Sequence, residues 1–118
     1  MAIVGLSPNP DRPSHRVASY LKEKGYKIIP VNPAVKEVLG EPSYPDLVSI
    51  PEPVDVVDIF RRSEEVPAIV EEAIKIGAKA VWMQEGVVNE KAASRAKEAG
   101  LLVVMNKCMR KEHKKLQK

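Results

Sequence analysis

Three times along this chain, a segment with apolar residues at helical spacing is closed by a glycine and followed at once by a β-branched apolar run. Ser14 to Lys24 carries Val17, Tyr20 and Leu21, then Gly25 and YKIIPV ending at Val31. Glu64 to Ile76 carries Val66, Ile69, Val70, Ala73 and Ile74, then Gly77 and AKAVWM ending at Met83. Asn89 to Ala99 carries Ala92, Ala93 and Ala96, then Gly100 and LLVVM ending at Met105. Glycine after a helix tolerates the left-handed conformation that ends it, and short apolar runs of this kind read as strands buried on both faces. Pro67 falls in the first turn of the second helix, where a missing N–H costs little.

Two further runs, AIVGL at the start and VDVVDIF from Val54 to Phe60, bring the strands to five. Strands alternating with helices imply a parallel sheet with right-handed crossovers and helices on both faces. The expected fold is therefore α/β, a Rossmann-like doubly wound sheet in three layers with strand order 2-1-3-4-5. The proline-rich stretch from Pro33 to Pro53 is expected to add a short edge strand near Glu41 to Tyr44, beside the second strand. A basic terminal helix is expected over about 107–118.

At 118 residues the chain suits one domain, 1–118, so any chemistry must fit one core and one cleft. No apolar stretch approaches the roughly 18 residues of a membrane span, and no signal-peptide pattern opens the sequence. A cytoplasmic location and no membrane partner are expected. Cys108 is the only cysteine, which rules out an internal disulfide and argues against a cysteine-based zinc site. The net charge of +3 resides in the last twelve residues, where six cations face Glu112 alone, so the remainder is net acidic. A basic tail without aromatic residues reads as a solvated face, and nucleic acid is disfavoured as a partner.

In open sheets of this kind a ligand lies beyond the carboxyl ends of the strands, where strand order reverses. The loop after the first strand departs from the dinucleotide fingerprint, because G-x-G-x-x-G would need glycines at Ser7 and Pro10. It instead feeds a helix whose expected cap is Ser14, with Arg16 in its first turn. Unpaired N–H groups, the positive end of the helix dipole and a guanidinium fork together make an anion site.

Six ordered blocks then carry a resemblance: GLSPNPDRPSHRVASYL, PVNP, LGEPSY, VDVVDIFRRSEEVP, AVWMQEGV and VMNKCMRKEH. Together they resemble the single-domain coenzyme A-binding proteins and, more distantly, the N-terminal domain of the succinyl-CoA synthetase alpha subunit. The resemblance implies that Gly5, Ser7, Ser14 and Arg16 hold the pyrophosphate of CoA. It places Asn32, Pro33 and Lys36 by the ribose, its 3′-phosphate or the adenine, with Phe60 and Arg61 on the other side of the nucleotide. Gln84 and Gly86 would face the pantetheine arm, and Asn106 and Cys108 its thiol end, where a mixed disulfide with CoA becomes possible.

Departures from that pattern are also visible. Relatives often carry Asp-Arg at Asn106-Lys107, a proline at Arg62 and a leucine at Glu85. The family usually has a helix and the start of the first strand ahead of AIVGL, so a truncated N-terminus and a frayed first strand are expected. No counterpart of the synthetase's phosphohistidine segment is present.

The residues that would support catalysis do not assemble into a recognisable set. His15 reads as a partly exposed helical residue, and His113 lies five residues from Cys108, which does not put both on one helical face. Asp55 and Asp58 read as polar groups at the ends of a strand, and Trp82 and Met83 as core. The resemblance thus implies a protein that binds CoA or acyl-CoA without catalysing a reaction, as a carrier, sensor or thiol-protecting module. A homo-oligomer or a partner enzyme stays open. The alternative is an NAD(P)-type oxidoreductase or redox-sensing module, which would need the missing glycines and an acidic residue where Asn32 stands.

Overall fold

A computed structural model describes residues 1–116. Its main sheet holds five parallel strands: β1 (Ala2–Val4), β2 (Ile29–Val31), β5 (Val56–Ile59), β6 (Ala80–Met83) and β7 (Leu102–Val104). Their order is β2-β1-β5-β6-β7, the order expected from the sequence. β1 is an interior strand and pairs on both sides, Ile3 lying opposite Pro30 of β2 and Asp58 of β5. The expected fraying does not occur: all three β1 residues are buried, and the terminal ammonium of Met1 donates to the Lys27 carbonyl at 2.9 Å.

Strand alternation divides the core into two layers. Val57, Ile59, Val81 and Met83 face helices α2 (Val66–Lys75) and α3 (Glu90–Glu98), packing on Val66, Ile69, Val70, Ala73, Ala92, Ala93 and Ala96. Ile3, Val56 and Trp82 face α1 (Pro13–Glu23) and α4 (Met109–Leu116), packing with Val17, Ala18, Leu21 and Met109. The sheet is thus covered on both sides. β7 is the exception to burial on both faces: it forms an edge, and Leu102 is 74% exposed.

The local signals hold with small shifts. Asn89 caps α3 by accepting from the Ala92 N–H at 2.9 Å, and Pro67 lies in the first turn of α2, preceded by a 3-10 turn over Ser63–Glu65. β2 begins only at Ile29, because the Tyr26 N–H still bonds the Leu21 carbonyl at the end of α1. The extra strand near Glu41 forms differently from expectation. β4 (Glu41–Pro42) pairs antiparallel with β3 (Glu37–Val38) in a hairpin, and only Tyr44 reaches the main sheet, through a single bridge to Val31.

The basic tail is helical from Met109, later than expected, and Lys118 lies outside the described residues. α4 docks on α1: Tyr20 Oη and His113 Nδ1 are 2.8 Å apart, and Tyr26 stacks edge-on with the same imidazole. The tail therefore meets aromatic residues in space, although it contains none in sequence.

Candidate functional site

Gly5 is where the first loop leaves the sheet. Its N–H continues the ladder to Val31 O at 2.9 Å, and its φ of +87 turns the chain away. A β-carbon there would collide with the Phe60 carbonyl oxygen, so only glycine fits between the ends of β1 and β5. The loop that follows is tied to itself. The Ser7 N–H donates to Ser14 Oγ at 3.0 Å, Asn9 N–H donates to Ser7 Oγ, and Asp11 N–H to Asn9 Oδ1. His15 Nδ1 lies 3.0 Å from the Ser7 carbonyl oxygen.

Ser14 is therefore not the helix cap. Arg12 occupies that position in extended conformation, Pro13 begins the helix, and the buried Ser14 hydroxyl closes the loop. Proline favours an extended residue before it and suits the first helical position, which moves the helix start forward of Ser14.

Beyond these strand ends lies a cleft of about 660 Å³. Of the residues singled out in the sequence, Gly5, Ser7, Ser14, Phe60, Arg61, Gln84 and Cys108 line it. Arg12, Arg62, Glu65, Glu85, Val17 and Val87 line it too, without having been anticipated. Among the described residues, Arg12, Arg61 and Arg62 form no ion pair, whereas Glu85 is held by Lys111 at 3.1 Å. Three arginines outside any ion pair among the described residues thus line the cleft.

Arg16 is not in the cleft. It lies with Pro10, His15, Tyr20, Glu23 and Arg110 along a separate groove on the outer side of α1. The expectation placed it at the anion site because the helix was started at Ser14; with the start at Pro13, Arg12 is the arginine at the helix entrance.

A smaller recess of about 240 Å³ adjoins the cleft, sharing Arg61 and Glu65 with it. Pro33 lines this recess together with Val4, Val31, Leu47, Ala68 and Ile69. Asn32 lines neither space; it braces the loops, donating through Nδ2 to the Leu6 carbonyl and accepting the Ala34 N–H at Oδ1. Lys36 is exposed and also lines neither.

At the far end, Gly86 and Asn106 are exposed and outside the cleft lining. They tie the β6 and β7 loops: the Gly86 N–H donates to Asn106 Oδ1 at 2.7 Å, and both residues have positive φ, 88 and 60. Asparagine tolerates that conformation better than most side chains. Cys108 is half-buried, directly ahead of α4, and its carbonyl accepts the Glu112 N–H at 3.0 Å.

Asp58 departs most from its sequence reading. It is no strand-end group: it sits inside β5, fully buried, on the α1 and α4 side of the sheet. Gln84 Nε2 donates to its Oδ1 at 2.6 Å, while its Oδ2 has no partner. Burial pushes the carboxyl up to about 7, against the opposing pull of the Gln84 and Ile59 hydrogen bonds. Asp55, by contrast, is exposed beside Lys79. Neither histidine lines the cleft, and no helix among the described residues is long and apolar enough to cross a membrane.

The chain is 44% identical over 113 residues to the uncharacterized protein YneT of Bacillus subtilis, covering 96% of this chain and 84% of that one. It is 36% identical to the ADP-forming acetate–CoA ligase I of Archaeoglobus fulgidus over 86% of its own length, but spans only 14% of that ligase. A hypothetical protein from Pyrococcus horikoshii superposes with a TM-score of 0.96 at 46% identity, covering 99% of this chain and 82% of that one. The sequence profile of the CoA binding domain matches residues 1–114, and the chain belongs to that family.

Proposed function

We propose that this protein binds coenzyme A, free or acylated, non-covalently at the carboxyl ends of its parallel strands, and that it acts in the cytoplasm without catalysing a reaction. The observation that carries the reading is the cleft with three arginines free of ion pairs, in a chain of the CoA binding domain family. CoA is a polyanion joined to a long neutral arm, and guanidinium groups suit its phosphates.

In this reading the pyrophosphate lies over the loop after β1 and the entrance of α1, near Ser7, Ser14 and Arg12. The adenine enters the proline-lined recess behind Arg61, and the pantetheine arm runs past Gln84 to Cys108. A carrier, a sensor or a thiol-protecting module would use these contacts alike, alone or delivering CoA to a partner enzyme. Isothermal titration calorimetry with CoA, dephospho-CoA and NAD tests the reading. Tighter binding of the two CoA forms than of NAD is expected; equal or tighter NAD binding would replace it with a dinucleotide site.

A further inference from the structure

A carboxyl group buried in the middle of a parallel sheet is costly. Ile3 and Trp82, its neighbours across the sheet, are apolar, as is the layer of Val17, Ala18, Leu21 and Met109 on that face. Asp58 nevertheless stands there with one oxygen unpartnered and the other bonded to Gln84. Gln84 is itself 3% exposed and lines the cleft, and its Oε1 accepts from the Met109 N–H at 3.4 Å, at the first residue of α4. A chain of hydrogen bonds thus runs from the sheet interior through the cleft floor to the helix that follows Cys108.

We propose that Asp58 is a positioning residue for the CoA site: its carboxylate fixes which end of the Gln84 amide faces it, and so seats α4 and Cys108 against the cleft. The inference rests on the CoA reading above. An ionised carboxylate only accepts hydrogen bonds, so Gln84 must turn its NH2 to Asp58 and its oxygen to the Met109 N–H. A protonated carboxyl also carries a donor. It then suits the reversed amide, which would set an NH2 group against the Met109 N–H and release the start of α4.

Ligand binding that needs the seated arrangement therefore favours the ionised form and releases a proton. Few other groups could produce the same effect at this position. β1 and β6 present Ile3, Trp82 and the uncharged Gln84; the titratable side chains packed against this layer are Tyr20 of α1, bonded to His113, and Cys108 ahead of α4. No charged group contributes to raising the Asp58 carboxyl, which responds to burial.

The test is calorimetric titration with dephospho-CoA, which lacks the titrating 3′-phosphate, between pH 5.5 and 8.5, in buffers of different ionisation enthalpy. Wild-type protein is expected to bind about tenfold more weakly at the acid end, the size of a charge-assisted contact relative to a neutral one. It should also release a proton on binding near pH 7. Asp58→Asn, which like the protonated acid offers both donor and acceptor, is expected to bind weakly throughout, with no proton release. Circular dichroism and a melting curve establish that this variant is folded. A wild-type affinity flat with pH, or a folded Asp58→Asn with the wild-type profile, overturns the proposal. Absence of dephospho-CoA binding at every pH would instead remove the CoA reading on which it rests.

Discussion

The carbonyl oxygen of Phe60 occupies the space a β-carbon on Gly5 would need, so β1 and β5 end with their backbones in direct contact. That approach lets the loop after β1 and the Phe60-Arg61-Arg62 segment form adjoining walls of one cleft.

Gly5→Ala combines this collision with a φ of +87 that L side chains avoid. The expected cost is roughly 3 kcal/mol or more, from backbone strain and a displaced strand end. Chemical denaturation measures it, with loss of CoA binding under conditions where the variant is still folded. Gly25 also has positive φ, but a β-carbon there meets nothing within 4 Å. Gly25→Ala should therefore cost less.

Arg12→Ala should weaken CoA binding about ten- to a hundredfold, the loss of one charge-assisted phosphate contact worth roughly 1.5 to 3 kcal/mol. Arg16→Ala, on the outer groove of α1, should change affinity little. Calorimetry on the two variants in parallel decides which arginine serves the site. A larger effect at Arg16 would mean that the ligand wraps the other side of the helix.

Much of the architecture could be read directly from the chain, and the site only in part. The repeated helix, glycine and apolar run marks the succession of helices and strands along the chain, because each glycine ends a helix and each run is long enough for one buried strand. Gly5, Phe60, Gln84 and Cys108 follow strands, so topology alone brings them to the same edge of the sheet. Arg12 was obscured by giving the cap to Ser14, although Pro13 marked an earlier start. Asp58 was misread for a different reason. Asp58 stands between Val57 and Ile59 in an otherwise apolar run, and nothing local reveals that Gln84, the residue after β6, reaches across to hydrogen-bond it.

Asp58 also makes stability depend on pH. Its carboxyl titrates at about 7 in the folded protein against an ordinary 3.8, so the folded state binds more protons across that interval. Stability is fully present below the ordinary value and declines as pH rises through the folded one, by roughly 4 kcal/mol in total if this group acts alone. Urea denaturation at pH 5 and pH 8 should show the protein less stable at pH 8, with the difference much reduced in Asp58→Asn. An equal difference in both proteins would assign the pH dependence to other groups.

Cys108 lines the cleft at the end where the reading places the CoA thiol, and it is half-buried, not sealed in the core. Exchange with CoA disulfide is then a local reaction: Cys108 Sγ, as thiolate, attacks one sulfur of the disulfide, forms the protein–CoA bond and expels the other CoA as its thiolate. Binding the nucleotide half beforehand raises the effective concentration of the disulfide at Sγ, so the adduct should form faster than with a small disulfide of similar reactivity. Intact mass spectrometry after incubation should show one added CoA, lost on reduction and absent in Cys108→Ser. Arg12→Ala should slow the adduct with CoA disulfide while leaving the reaction with the small disulfide unchanged. Unmodified wild-type protein would mean that Cys108 only packs against the start of α4.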